Sequence, residues 1–224
     1  TKINFLLNSS GTDILSWDPA TYHWDSSPNI DFRSSLYLPL NSGCIERDSY
    51  SLLKSVLEFS QPYYRLPIPY IRSVVSVGIM KDLVRKSGRL INSRTPDVYL
   101  GVAIANEGHR FSYSKSPLSV AGISGHSNGA AQLNLGVDKR SAKLVDQEDN
   151  IPFHKDVEYI PVIPFVLWEA VLQVRDHLGI HQSVLSHLDA KKAIKYSIPV
   201  CKSLALSDEG AMLDERTAVV VDMD

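Results

Sequence analysis

Asp97 follows Pro96 at the head of an apolar helical pattern. Downstream, Gly122-Ile123-Ser124-Gly125-His126-Ser127-Asn128-Gly129 makes a loop of small residues rich in backbone N–H donors. A carboxylate can accept the proton of an attacking hydroxyl, and consecutive backbone N–H groups suit phosphate oxygens. An acid beside an anion-friendly loop is the equipment that sugar transfer from a nucleotide donor requires. The same aspartate has a plainer use, since a negative charge in the first turn complements the helix macrodipole.

The residues around this pair bear on the same chemistry. Neutral imidazole at His126 would bind a divalent metal and protonated imidazole would pair with a diphosphate, with Ser127 and Asn128 adding hydroxyl and amide donors. A lone histidine in a polar loop is also an ordinary surface residue. Arg89 and Arg94 flank the Asp97 segment and offer planar, bidentate contacts to phosphate, although arginines beside a glycine stop are common. A nucleophile elbow needs glycine two residues before and two after its serine. His126 stands at the second position here, and no ordered set of serine, acid and histidine replaces it.

The elements that must carry these groups alternate. Residues 2–8 read as the end of a helix, Gly11 interrupts it, and residues 14–17 read as a strand. Trp17, Tyr22 and Trp24 then gather near Asp18, His23 and Asp25, where they either fill a core or stack on a flat ligand. A strand is expected over 36–40 and a helix over 49–59. Two prolines two apart hold residues 63–70, with Tyr63, Tyr64 and Tyr70, in a non-helical loop. Helical periodicity resumes over 72–86 and stops at Gly88, with Lys81, Arg85 and Lys86 matching the helix C-terminus. The helix from Asp97, which includes Tyr99, stops at Asn106-Glu107-Gly108, and strands follow over 111–113 and 118–123. Charge rises over 130–150, a surface segment or link. Helices are expected over about 164–178 and, after Gly179, over 182–196, and residues 217–224 could form one more strand.

The ordered set of Trp17 to Trp24, the tyrosine-rich loop with Pro67 and Tyr70, Gly88-Arg89, Pro96-Asp97-Val98-Tyr99 and Gly122-Ile123-Ser124 with His126-Ser127-Asn128-Gly129 resembles bacterial family 2 glycosyltransferases of the GT-A fold, over roughly residues 1 to 132. The resemblance implies an α/β fold with a partial GT-A-like mixed sheet and flanking helices, followed by a helical C-terminal tail. It implies an acceptor-side half over 1–135, a linker or surface segment over 136–156 and a helical region over 157–224. By the same resemblance Asp97 is the base that deprotonates the acceptor hydroxyl in inverting transfer. Trp17, Tyr22, Trp24, Tyr70, Arg89, Arg94 and Tyr99 would contact substrate, and His126, Ser127 and Asn128 the diphosphate, with His126 on a Mg²⁺ or Mn²⁺ ion. The donor would be a nucleotide-diphosphate sugar and the acceptor a glycan or another hydroxyl compound.

The chain opens on Thr1, and no Asp-x-Asp metal motif precedes Ile14; Asp222-Met223-Asp224 stands in the wrong half for one. If the resemblance holds, the sequence shows the acceptor half and lacks the nucleotide-binding half. The alternative is a non-catalytic module that binds glycan or a partner protein through Tyr63, Tyr64 and Tyr70. The enzyme reading requires Asp97 to open on a cleft that a sugar alcohol can enter.

Bulk properties narrow the partners. The chain has 224 residues, 44% of them hydrophobic, with 23 basic and 25 acidic side chains. Such a balance gives no net field for nucleic acid or an anionic membrane, so partners must be recognised locally. Cys44 and Cys201 sit in no metal or redox spacing, which fits a reducing compartment. The apolar stretch over 160–174 is broken by Pro161, Pro164, Glu169 and Gln173 and falls short of the ~20 residues a span needs. The expectation is a cytoplasmic protein, at most peripheral to a membrane, with self-association through the helical region left open.

Overall fold

The computed structural model describes residues 1–27, 30–70, 72–125, 151–157 and 162–205. It is a mixed α/β structure with two mixed sheets and several helices. Helix α1 (Lys2–Ser10) leads into strand β1 (Ile14–Trp17), which continues past Asp18-Pro19 as β2 (Ala20–His23). Strands β3 (Ser35–Tyr37) and β4 (Cys44–Asp48) follow, then α2 (Ser49–Leu57), β5 (Ser73–Val75), α3 (Val77–Ser87), α4 (Pro96–Asn106), β6 (Arg110–Ser114) and β7 (Val120–Ile123). Helices α5 (Ile163–Leu178), α6 (Gln182–Leu185) and α7 (Ala190–Ala205) complete the order.

The first sheet runs β4-β6-β1-β5 and the second β3-β2-β7. In the first, the parallel pair β1–β6 is flanked on both sides by antiparallel strands; in the second, the parallel pair β2–β7 has the antiparallel strand β3 on one side. One bent parallel ribbon therefore threads both sheets. It breaks at Pro19, which has no N–H to give the ladder. Register places Ile14, Phe111, Tyr113 and Arg47 on the helix-facing side, because paired residues share a face. Strand β4 is an edge, and its sequence Cys-Ile-Glu-Arg-Asp is charged, as edge strands that resist further pairing tend to be.

Helix α4 is the centre of the body. Every residue from Val98 to Ala105 is buried, and α4 packs against α2, α3, α5 and the turn at Tyr63–Arg65. Apolar character on all sides is what a helix enclosed on all sides requires. Helix α5 supplies Val166, Leu167, Ala170, Val171 and Val174 to the same core, so the helical region is integral to the α/β body. A β-carbon at Gly101 would stand 2.8 Å from Ile68 Cγ1 and 3.3 Å from Leu66 Cβ. Gly101→Ala is expected to destabilise the fold: overpacking costs about 1–3 kcal/mol against a helix-propensity gain of about 1. A lowered denaturant midpoint would show it, and an unchanged or raised midpoint would contradict it.

Several boundaries differ from the sequence reading. The stretch 72–86 is not one helix: its first part, Ser73–Val75, pairs with β1, and Ser76 caps α3 by accepting from Ile79 N. Gly88 ends α3 with φ 79°, a left-handed backbone that glycine takes at no steric cost. The stretch 36–40 is paired only as Ser35–Tyr37. The stretch 182–196 is divided: α6 ends at Leu185, capped by Ser186, and Asp189 starts α7, its carboxylate accepting from Lys192 N at 2.9 Å. Among the described residues no helix is long and apolar enough to cross a membrane. The segment 217–224 lies outside the described residues.

Acid sensitivity is built into α5. Asp176 accepts from Arg175 Nε at 2.6 Å and contacts His154 Nε2 at 2.9 Å, and these contacts hold its carboxyl down to about 2 from an ordinary 3.8. A depressed carboxylate contributes stability that is complete above the unfolded value and lost as pH falls through the folded one. Denaturant midpoints are expected to fall between about pH 4 and 2, less steeply in Asp176→Asn; parallel profiles for the two proteins would refute this.

Candidate functional site

Asp97 sits in the first turn of α4 with its side chain exposed. Pro96 supplies a pre-set φ at the helix start, and the segment before it is fixed from below. Glu169, fully buried on α5, accepts from Ser93 Oγ at 2.6 Å and from Gln173 Nε2 at 2.8 Å. Ser93 Oγ in turn accepts from Thr95 N at 3.2 Å. Thr95 is the residue that opens α4. The loop that presents Asp97 is thus pinned to the neighbouring helix through a buried carboxyl group.

Beside this helix start lies a cavity of about 450 Å³ with aromatic walls, lined by Phe59, Tyr63, Tyr64, Ile163, Leu167 and Tyr196 among others. Asp97 does not line it. Tyr63 joins the two: its phenol is pushed up to about 12, by burial first and then by the negative charge of Asp97, while Arg72 pulls it down. Asp97 and Arg72 therefore both lie within electrostatic reach of one hydroxyl on the cavity wall.

Arg72 belongs to a charged cluster at the C-terminal edge of the β1 and β6 pair. Asp18, just past β1, accepts from Arg65 Nη1 at 2.6 Å, from Tyr113 OH at 2.6 Å and from Arg72 Nη1 at 3.4 Å. Arg47 stacks on the Tyr113 ring at 3.6 Å, and Arg72 stands 4.8 Å from the centre of the Tyr64 ring. Burial raises the Tyr113 hydroxyl, and its bond to Asp18 adds to this. Burial lowers the Arg47 guanidinium, and the like charge of Arg65 lowers it further. Sequence reading left this cluster out, apart from noting Asp18 among the aromatic residues. Its five members come from separate segments of chain, and no spacing announces them.

The residues expected to bind substrate are dispersed. Trp17 is 4% exposed and its Nε1 donates to Ser119 Oγ at 2.6 Å, so it is a core residue of the ribbon. Tyr99 is 1% exposed and its hydroxyl accepts from Asn92 Nδ2 at 3.1 Å, which removes it from any ligand surface. Both positions are corrections: large buried aromatic area outweighed the stacking role. Tyr22 and Trp24 pack edge to face at 5.0 Å, and Trp24 leans over Gly122 in the second sheet. Tyr70 is 88% exposed and outside the cavity wall. Arg89 is exposed past α3. Arg94 Nε donates to Ile151 O at 2.9 Å and ties the segment 151–157 to the body. His126, Ser127 and Asn128 lie outside the described residues.

Among the described residues no three of His, Cys, Asp and Glu gather as metal ligands. The residue expected from the resemblance to hold a divalent ion, His126, lies outside the described residues. Comparison with family models, with curated proteins and with solved structures found no match to this chain.

Proposed function

We propose that this chain is the acceptor-side part of an inverting glycosyltransferase, with Asp97 as general base. The observation that supports the reading most is an exposed carboxylate whose charge acts on Tyr63, a wall residue of an aromatic-lined cavity that Asp97 itself does not line. Aromatic faces suit the apolar faces of sugar rings, and the carboxylate stands where an acceptor hydroxyl can reach it from solvent. In the step, the acceptor oxygen attacks the anomeric carbon of a nucleotide-diphosphate sugar. Its proton passes to Asp97, and the diphosphate leaves with the electrons of the broken bond. One displacement inverts the anomeric centre.

Release of nucleoside diphosphate by the full-length protein with Mn²⁺, in the presence and absence of glycan acceptors, tests the reading. Acceptor-dependent release that Asp97→Asn removes supports it. Glycan binding that is indifferent to Asp97, nucleotide and metal, with no release, would favour a non-catalytic module that uses the tyrosine-lined cavity.

A further inference from the structure

We propose that Arg47, Arg65 and Arg72, gathered round Asp18 and Tyr113, form a binding site for an oxyanion group of the substrate, a phosphoryl or a carboxylate. Three guanidinium groups face one carboxylate, an excess of two positive charges. Among the described residues Asp18 is the carboxylate in ion-pair distance of Arg65 and Arg72, and none lies within ion-pair distance of Arg47. The cluster is open to solvent: the side chains of Arg65, Arg72 and Asp18 are 30%, 31% and 34% exposed.

Geometry favours a built site over a solvated patch. Arg47 is placed by the Tyr113 ring, its guanidinium carbon 3.6 Å from the ring centre, a contact that a planar guanidinium makes by stacking. Arg65 is fixed by two partners, Asp18 and the Tyr113 hydroxyl. Arg72 reaches Asp18 through one nitrogen at a long 3.4 Å, so most of its fork is uncommitted to that carboxylate. Planar guanidinium groups held in place are suited to bidentate capture of phosphate or carboxylate. The location agrees, because ligands of open α/β sheets bind beyond the C-terminal ends of parallel strands. Asp18 follows the end of β1, and the parallel strand β6 carries Tyr113 near its own end.

The cluster adjoins the Asp97 region, since Arg72 and Asp97 both act on the Tyr63 hydroxyl. Assignment of the anion to a glycosyl-transfer substrate rests on the function proposed above; the anion site itself does not. Two sources carry the required chemistry, the diphosphate of a nucleotide-sugar donor and an acidic group on the acceptor glycan.

Titration calorimetry with inorganic pyrophosphate at low ionic strength is the test. Wild type is expected to saturate at millimolar concentrations or below, and Arg47→Gln and Arg72→Gln each to weaken binding about tenfold. Arg47→Lys keeps the charge but loses the planar fork and is expected to fall between wild type and Arg47→Gln. Arg110→Gln, at the other end of β6 and paired with Glu46, should bind as wild type does. Absence of saturable binding, or equal affinity in all variants, would overturn the site; circular dichroism of each variant separates misfolding from loss of binding. Repetition with a nucleoside diphosphate and with a uronic acid or sugar phosphate identifies the source by which affinity the variants lose. Pyrophosphate binding that follows this pattern while glycosyl transfer fails would leave the site standing and remove the transfer reading alone.

Discussion

Asp97→Asn is expected to lower acceptor-dependent release of nucleoside diphosphate by about 10²–10⁴-fold, the usual contribution of a positioned general base, and to leave the fold intact. Asparagine matches aspartate in shape but cannot take up the acceptor proton. The side chain is exposed in the first turn of α4, so its replacement forfeits only the interaction with the helix dipole, about 0.3–1 kcal/mol. Asp97→Glu keeps the base on a longer arm and should retain more activity than Asn. Steady-state kinetics with thermal melts on the same preparations separate the outcomes. Asn and wild-type rates that agree within severalfold would remove Asp97 from the chemistry.

Glu169→Ala is expected to cost about 2–5 kcal/mol of stability, the range for emptying a buried site and leaving hydrogen-bond donors without partners. Ser93 and Gln173 both donate to this carboxyl group, and Gln173 also donates to Pro152 O at 3.2 Å. Glu169→Gln should cost much less, because the Ser93 hydroxyl can turn from donor to acceptor. Loosening the segment Ser93–Thr95 also releases the start of α4. The Ala variant, assayed at a temperature where it stays folded, should therefore lose kcat more than it gains in KM, since small misplacements of a base are costly. Equal melting temperatures for Ala and wild type would show that Glu169 does not hold the loop.

Fold and site were legible in the sequence to different degrees, for physical reasons. Helix α4 was readable because Pro96 marks its start and unbroken apolar residues require full enclosure. Strand β1 was readable from its short apolar run after Gly11. Strand β4 was not, since an edge strand exposed on much of its surface has no apolar alternation to find. Strand β5 was hidden inside an apolar stretch that also fits a helix, and only pairing with β1 decides between them. At the site, Asp97 stood out because one local pattern contains it. The arginine cluster did not, because Arg47, Arg65 and Arg72 meet only when β4, the tyrosine loop and the residue before β5 are brought to one sheet edge. Trp17 was left between core and stacking, and Tyr99 placed with the substrate contacts, for a related cause: aromatic side chains near a ligand and in a core have the same sequence signature.

The partnership of α4 with α5 also sets an order of events during biosynthesis. Helix α4 leaves the ribosome well before the stretch that covers its remaining apolar side has been made. Until residues Ile163–Leu178 emerge, the nascent chain carries a greasy rod with one flank open to solvent or to a chaperone. Maturation of the Asp97 loop must wait as well, because the glutamate that clasps it arrives on that same late helix.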